Sequence, residues 1–284
     1  MTIENFQKAL DKALVHEGGK VDDPRDPGGR TNQGVTQRVY DGYRQRIGLP
    51  KRDVYLMTPA ERDAIYKRQY WDVIRGDDLP PGVDYFVFDG AINSGPLQSV
   101  KWIQRALGTV KVDGHLGDAT LGAIMAHGDH DMLIADAAER RMTFLRALKT
   151  WKTFGNGWTR RVDQVERVSQ AWAMGSVGPE VSWVPEGNRK ALVSDAKPLP
   201  TMGAADGATG GGAIAATLAA AQNQLQPLTG NSAFIDSVVA GLVVAGVGVT
   251  VGGLAYRFYA KRKEAALRDA LDLVERAAPE LVAA

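Results

Sequence analysis

Ile3, Phe6, Leu10 and Leu14 recur at helical spacing, and Ala9 and Ala13 fill the same face, so the chain opens on an amphipathic helix. Thr2 is placed to cap it, and Glu4 suits the positive end of its dipole. Gly18-Gly19 stops it, which leaves Glu17 in the last turn. The helical pattern is then lost up to Gly34. Two Asp-Pro pairs and a Gly pair there predict a turn-rich loop. Residues 39–47 read as a short helix. Thr58-Pro59-Ala60-Glu61 is a helix start, with Thr as N-cap, Pro first and Glu third, for a helix running to Tyr70 and Trp71. Residues 83–94 are apolar with Asp89 and Asn93 embedded, which predicts a buried helix.

After Gly95-Pro96, one face carries Val100, Ile103, Ala106 and Leu107. A turn and a helix start follow at 112–121. Two longer helices are expected at 131–150 and 158–174, separated by an aromatic and glycine loop at 151–158. Past Gly175, prolines and Gly210-Gly211-Gly212 predict a flexible linker, with a short Ala-rich helix near 213–224.

Residues 237–256 are twenty positions without a charge, the length of one membrane-spanning helix. Arg257, Lys261, Arg262 and Lys263 follow it and only Asp236 closely precedes it. The positive-inside rule then puts the tail in the cytoplasm and the preceding domains on the periplasmic face of the inner membrane. Gly248 and Gly252 have the spacing of a helix-packing pair, and Leu267, Leu271 and Val274 mark an amphipathic tail. The amino-terminal residues have no apolar stretch of the secretory kind. No repeat and no strand-rich region is evident, so the soluble part is expected to be mainly α.

Composition removes several functions. In 284 residues, 34 basic against 33 acidic side chains leave a charge of +1, unlike a general nucleic-acid binder. The absence of cysteine excludes disulfides, a thiolate nucleophile and a Cys-type zinc site. His127 and His130 lack a second ligand pair, so no metal is expected. The glycine runs at Gly28 and Gly210 lack the Lys-Ser/Thr partner of a phosphate loop, and no cofactor is expected. Arg140, Arg141, Arg146, Lys149, Lys152, Arg160, Arg161 and Arg167 read as solvated basic faces, or as attraction to an anionic polymer or membrane. Nothing indicates an oligomeric state.

The acids carry the sharper signal. A glycosidase needs a carboxyl group protonated near neutral pH and usually a second acid, or a held water, on the other face of the sugar. Glu17, at the negative end of a helix dipole, is expected to have a raised pKa and to suit the first role. Asp26 is the candidate for the second, with Asp22 and Asp23 as alternatives, and Thr31 and Thr36 are placed to hold a water. The other reading of this stretch is a solvated helix-end acid followed by turn formers. Tyr70 and Trp71 are candidate sugar contacts or core; Asn93 is a candidate partner for an N-acetyl group or a buried structural amide.

His16-Glu17-Gly18-Gly19, Asp23-Pro24, Asp26-Pro27-Gly28-Gly29, Thr31 and Gly34-Val35-Thr36 closely resemble the opening motif of the glycoside hydrolase 108 lysozymes. The resemblance continues through Tyr70-Trp71, Leu79-Pro80 and 89–95. It then enters the helical peptidoglycan-binding module that accompanies the family, at 102–108, Val112-Asp113-Gly114, Gly117, Thr120-Leu121, 151–155 and Gly157-Trp158. It spans about residues 1–172. The resemblance implies an N-acetylmuramidase of the phage-endolysin type, with Glu17 as general acid on the β-1,4 bond between N-acetylmuramic acid and N-acetylglucosamine, and peptidoglycan as partner. The family usually has an aromatic residue after the Gly pair; here it is Lys20. The expected organisation is a lysozyme-like helical catalytic domain at 1–95, a helical peptidoglycan-binding module at 96–175, a linker at 176–233, a transmembrane helix at 234–256 and a basic amphipathic tail at 257–284. Two other readings are a non-catalytic wall-binding or secretion-assisting protein, and a lytic transglycosylase, which needs only one acid.

Overall fold

The computed structural model describes residues 3–22, 30–200, 213–229 and 233–273. The chain divides into two compact units, residues 1–197 with 270–284, and residues 198–269.

The first unit is built around α4 (Val83–Ser94), all of whose residues are buried. A helix with no side facing solvent belongs in the centre of a fold. Around it pack α1 (Ile3–Glu17), α5 (Pro96–Leu107), α7 (His130–Arg146) and α8 (Trp151–Ala173). At the α4–α5 crossing a Cβ on Gly90 would stand 2.4 Å from Ser99 Oγ and 3.0 Å from the Trp102 ring, so the close approach needs glycine. Phe6, Trp71 and Phe88 meet edge to face, with ring centroids 5.3 to 6.0 Å apart.

Between α1 and α2 (Gln37–Arg46) lie three two-residue strands, β1 (Lys20–Val21), β2 (Thr31–Asn32) and β3 (Val35–Thr36). They pair antiparallel in the order β1-β2-β3, with Val21 opposite Thr31 and Thr31 opposite Thr36. This sheet occupies part of the stretch read as turns alone, because strands so short carry too little alternation to be seen. The capping box of α3 (Pro59–Tyr66) is present in full, with Thr58 and Glu61 bonded reciprocally. A single π turn, Lys67–Trp71, continues it. After α5, α6 (Asp118–Ala126) leads into α7.

Two expectations are corrected in this unit. Residues 151–158 are not a loop but the first turns of α8. The glycines in those turns serve close packing: a Cβ on Gly155 would strike the Trp151 ring at 2.8 Å, and one on Gly157 would strike Pro185 O at 2.5 Å. Residues 176–197 follow the first unit closely rather than running free. Val184 and Ala191 are buried, and Leu148 bridges to Ala196.

The second unit contains α9 (Ala213–Leu225), where the Ala-rich helix was expected, and most of α10 (Ala233–Ala270), one helix of 38 residues. Among the described residues no helix is long and apolar enough to cross a membrane. The inner-membrane span expected at 234–256 is not supported by that finding; the stretch lies within α10.

Candidate functional site

Glu17 is the last residue of α1, and Gly18, in the left-handed region at φ 71°, turns the chain out of the helix. Three structures converge on its carboxylate. From below, Arg161 of α8 donates through NH1 to Oε1 at 3.0 Å. From the solvent side, Lys190 donates through Nζ to Oε2 at 2.9 Å. Alongside lies the β2–β3 turn, with Gln33 at φ 47° and Gly34 at φ 76°. A Cβ on Gly34 would stand 2.7 Å from Glu17 Oε2 and 2.3 Å from Tyr66 Oη, so only glycine lets the turn lie this close. Tyr66 Oη holds the turn by donating to Gln33 O at 2.9 Å, and Asn32 Nδ2 pins the hairpin to Val54 O at 3.0 Å.

Beneath Glu17 runs a buried charge chain. Arg161 donates through Nε and NH2 to Asp89 Oδ1, at 3.0 and 2.8 Å, while Arg141 NH2 reaches Asp89 Oδ2 at 2.8 Å. All three side chains are fully buried. Burial alone would raise the Asp89 carboxyl, but the two guanidinium groups hold it well below the ordinary carboxylate range. Burial likewise pushes Glu17 up, and Lys190 and Arg161 outweigh it, so its pKa lies below the ordinary value. The raised pKa expected from the helix dipole is thus corrected: two bonded cations dominate a partial charge at a helix end. His16, also buried, is lowered to about 4, chiefly by burial and then by Arg161, and its ring nitrogens have no hydrogen-bond partner among the described residues.

The other expected site residues separate. Thr31 lies on β2 opposite Thr36, and Thr36 Oγ1 accepts from Val39 N at 3.4 Å as the N-cap of α2. Asp22 is exposed and paired with Arg30 at 3.1 Å. Asp23 and Asp26 lie outside the described residues. Tyr70 is half-buried, with its ring 5.6 Å from that of Tyr66. Trp71 is wholly buried and donates to Asp77 Oδ1 at 2.7 Å, which leaves no ring face for a sugar. Asn93 is buried and donates to Arg189 O at 2.8 Å, so its amide is committed within the fold. Lys20 sits over the Tyr55 ring at 5.2 Å. His130 contacts Ile124 O through Nε2 at 2.9 Å, and no metal-holding cluster occurs among the described residues.

Arg141 and Arg161, read from sequence as solvated basic faces, are corrected to core residues. A signal for this exists in the sequence: Arg161 falls in the stripe Trp158, Val162, Val165 and Val168, and Arg141 in the stripe Ile134, Ala137, Ala138 and Leu145. A cation inside an apolar stripe is one that will be buried against an acid. Lys190 carries no such signal, being 173 residues away from Glu17 in a stretch of linker composition.

Residues 10–95 match the family described as Glycosyl hydrolase 108, and residues 98–163 match the one described as Predicted Peptidoglycan domain. Among solved structures the chain is similar to that of Brucella abortus SagA, at 38% identity and a TM-score of 0.53, over 60% of this chain and 96% of that one. No curated protein matches.

Proposed function

Because the chain belongs to the glycosyl hydrolase 108 family, and is thus a glycosidase acting on peptidoglycan, we propose that it cleaves the β-1,4 bond between N-acetylmuramic acid and N-acetylglucosamine, with Glu17 as general acid. The observation that supports this most is the setting of Glu17. It lies within the matched segment, at the end of a helix, with a glycine turn packed against it and with both oxygens bonded to cations. A carboxyl so placed can deliver a proton to a leaving oxygen once substrate reaches it, and Arg161 then stabilises the carboxylate that remains. Asp26, which falls between β1 and β2 in the sequence, is the proposed second acid. The site of action that goes with this reading is the periplasm, where the polymer lies.

The experiment is digestion of purified peptidoglycan with mass spectrometry of the released fragments. Muramidase action gives reducing N-acetylmuramic acid ends; 1,6-anhydro ends would overturn hydrolysis in favour of a transglycosylase. Glu17→Gln is expected to lower the rate by at least about 10²-fold while peptidoglycan binding persists. Unchanged cleavage in that variant would remove Glu17 from the role.

A further inference from the structure

Glu17 cannot meet a substrate in the arrangement seen. Its side chain is 1% exposed, both oxygens are bonded, and the partner on the solvent side is Lys190, whose side chain is 38% exposed. Among the described residues bonded to the carboxylate, Lys190 is the one that reaches solvent. That lysine does not come from the catalytic segment or from the matched module, but from residues 184–191, which run back over the site after α8 has ended.

This segment is shaped to lie there. Val184 and Gly187 close one turn and Glu186 and Arg189 the next, with Glu186 in the left-handed region at φ 63°. Its attachment is mostly backbone. Ala191 N donates to Asn93 O at 3.0 Å, Arg189 O accepts from Trp158 Nε1 at 2.8 Å, and Gly187 O accepts from Arg161 NH1 at 3.0 Å. Lys190 Nζ also donates to Ile92 O at 3.0 Å, which fixes the ammonium over Glu17. Gly157 on α8 has no side chain where the segment crosses: a Cβ would stand 2.5 Å from Pro185 O and 2.8 Å from Gly187 N. The anchoring is therefore specific, yet only Val184, Gly187 and Ala191 of the segment are buried. Such a small buried surface is compatible with release.

We propose that residues 184–191 form an autoinhibitory strap: in the closed form Lys190 occupies the place of the glycan's leaving oxygen at Glu17, and a glycan strand must displace the strap before cleavage. The proposal rests on the assignment of Glu17 as the acid. Its physical basis is competition, because an enzyme whose open form is a minor population works, and binds, in proportion to that population.

The test uses the full chain and two variants that act on the strap from opposite sides. Lys190→Gln removes the ammonium, and Gly157→Ala puts a methyl group under the strap while leaving Lys190 and Glu17 intact. Amide exchange at Ala191 reports strap opening without reference to catalysis. Both variants are expected to exchange faster at Ala191 and to clear purified peptidoglycan about tenfold faster than wild type. Rates at or below wild type in both variants, with wild type active, overturn the strap and leave the hydrolase reading standing. If wild type and both variants release no fragments, the hydrolase reading fails, and the strap is judged by binding of soluble peptidoglycan fragments. About tenfold tighter binding to the variants upholds it as a cover of the cleft, and equal binding overturns it.

Discussion

Arg161 and Asp89 form a fully buried ion pair in which the guanidinium presents both Nε and NH2 to one carboxylate oxygen, at 3.0 and 2.8 Å. The remaining nitrogen, NH1, is thereby aimed at Glu17. The pair joins α4 to α8 and so ties the position of the candidate acid to packing between the two family-matched segments. Asp89→Asn would leave Arg141 and Arg161 buried without their shared counter-charge. The expected cost is about 3–5 kcal/mol of stability, read as a lower midpoint in urea unfolding. A drop in activity without that loss would mean that Asp89 acts on the chemistry directly.

Gly34 is the position where the sheet meets the acid. Gly34→Ala meets both a left-handed φ of 76° and a Cβ position 2.3 Å from Tyr66 Oη. The turn must move away, at about 1–3 kcal/mol. Because it lines Glu17, cleavage is expected to fall by about 10²-fold, while binding to peptidoglycan through the second segment is kept. Paired pull-down and digestion assays separate the two effects.

Much of this fold is legible in the sequence, and what is not has a physical cause. The first helix, its stop at Gly18, the Thr58 capping box and the buried α4 follow from spacing, caps and apolar runs, which are local signals. The two-residue strands are too short to show a period. The strap is also silent, because its attachment is through backbone groups that any sequence possesses, and its one telling side chain, Lys190, has the look of a solvated lysine. For the site, Glu17 could be picked out by its helix end, but its protonation could not. That depends on Arg161 and Lys190, which are 144 and 173 residues away.

Tyr70 and Trp71 were equivalent as candidate sugar contacts and the structure divides them. Trp71→Ala should cost about 3–5 kcal/mol of stability, since the ring is wholly buried between Phe6 and Phe88. Tyr70→Ala should change stability little and raise KM by up to about tenfold, the worth of one aromatic face. Unfolding midpoints and Michaelis curves on soluble muroglycan check both, and an unchanged KM would remove Tyr70 from the cleft.

His16 and Asp84 oppose each other in acid. His16 is lowered from 6.5 to about 4, chiefly by burial, so the unfolded chain takes up this proton first and the native state loses stability as pH falls from about 6.5 to about 4. Asp84 is raised from 3.8 to about 7, again by burial, so the native state holds a proton that the unfolded chain releases, and stability is lost as pH rises through the same window. The two shifts correspond to about 3 kcal/mol for His16 and about 4 kcal/mol for Asp84. Relative to wild type, His16→Gln should therefore gain stability on going from pH 7 to pH 4, and Asp84→Asn should lose it. Denaturation midpoints across that range test the signs, and parallel profiles for all three proteins would overturn them.

The protonation of Glu17 is expected to set the alkaline side of the pH–rate profile. A general acid works in its protonated form, so the alkaline limb of kcat/KM reports the pKa of that group in the free enzyme. Lys190 and Arg161 both lower it, and Lys190 is the one a substitution can remove while Arg161 still pairs the buried carboxylate. In Lys190→Gln one cation and one bond to the ionised form are gone, which favours the carboxyl form. The alkaline limb should therefore move to higher pH than in wild type, whatever happens to the maximal rate. Movement to lower pH, or none, would mean that the limb belongs to another group and that Glu17 is not the acid whose proton is transferred.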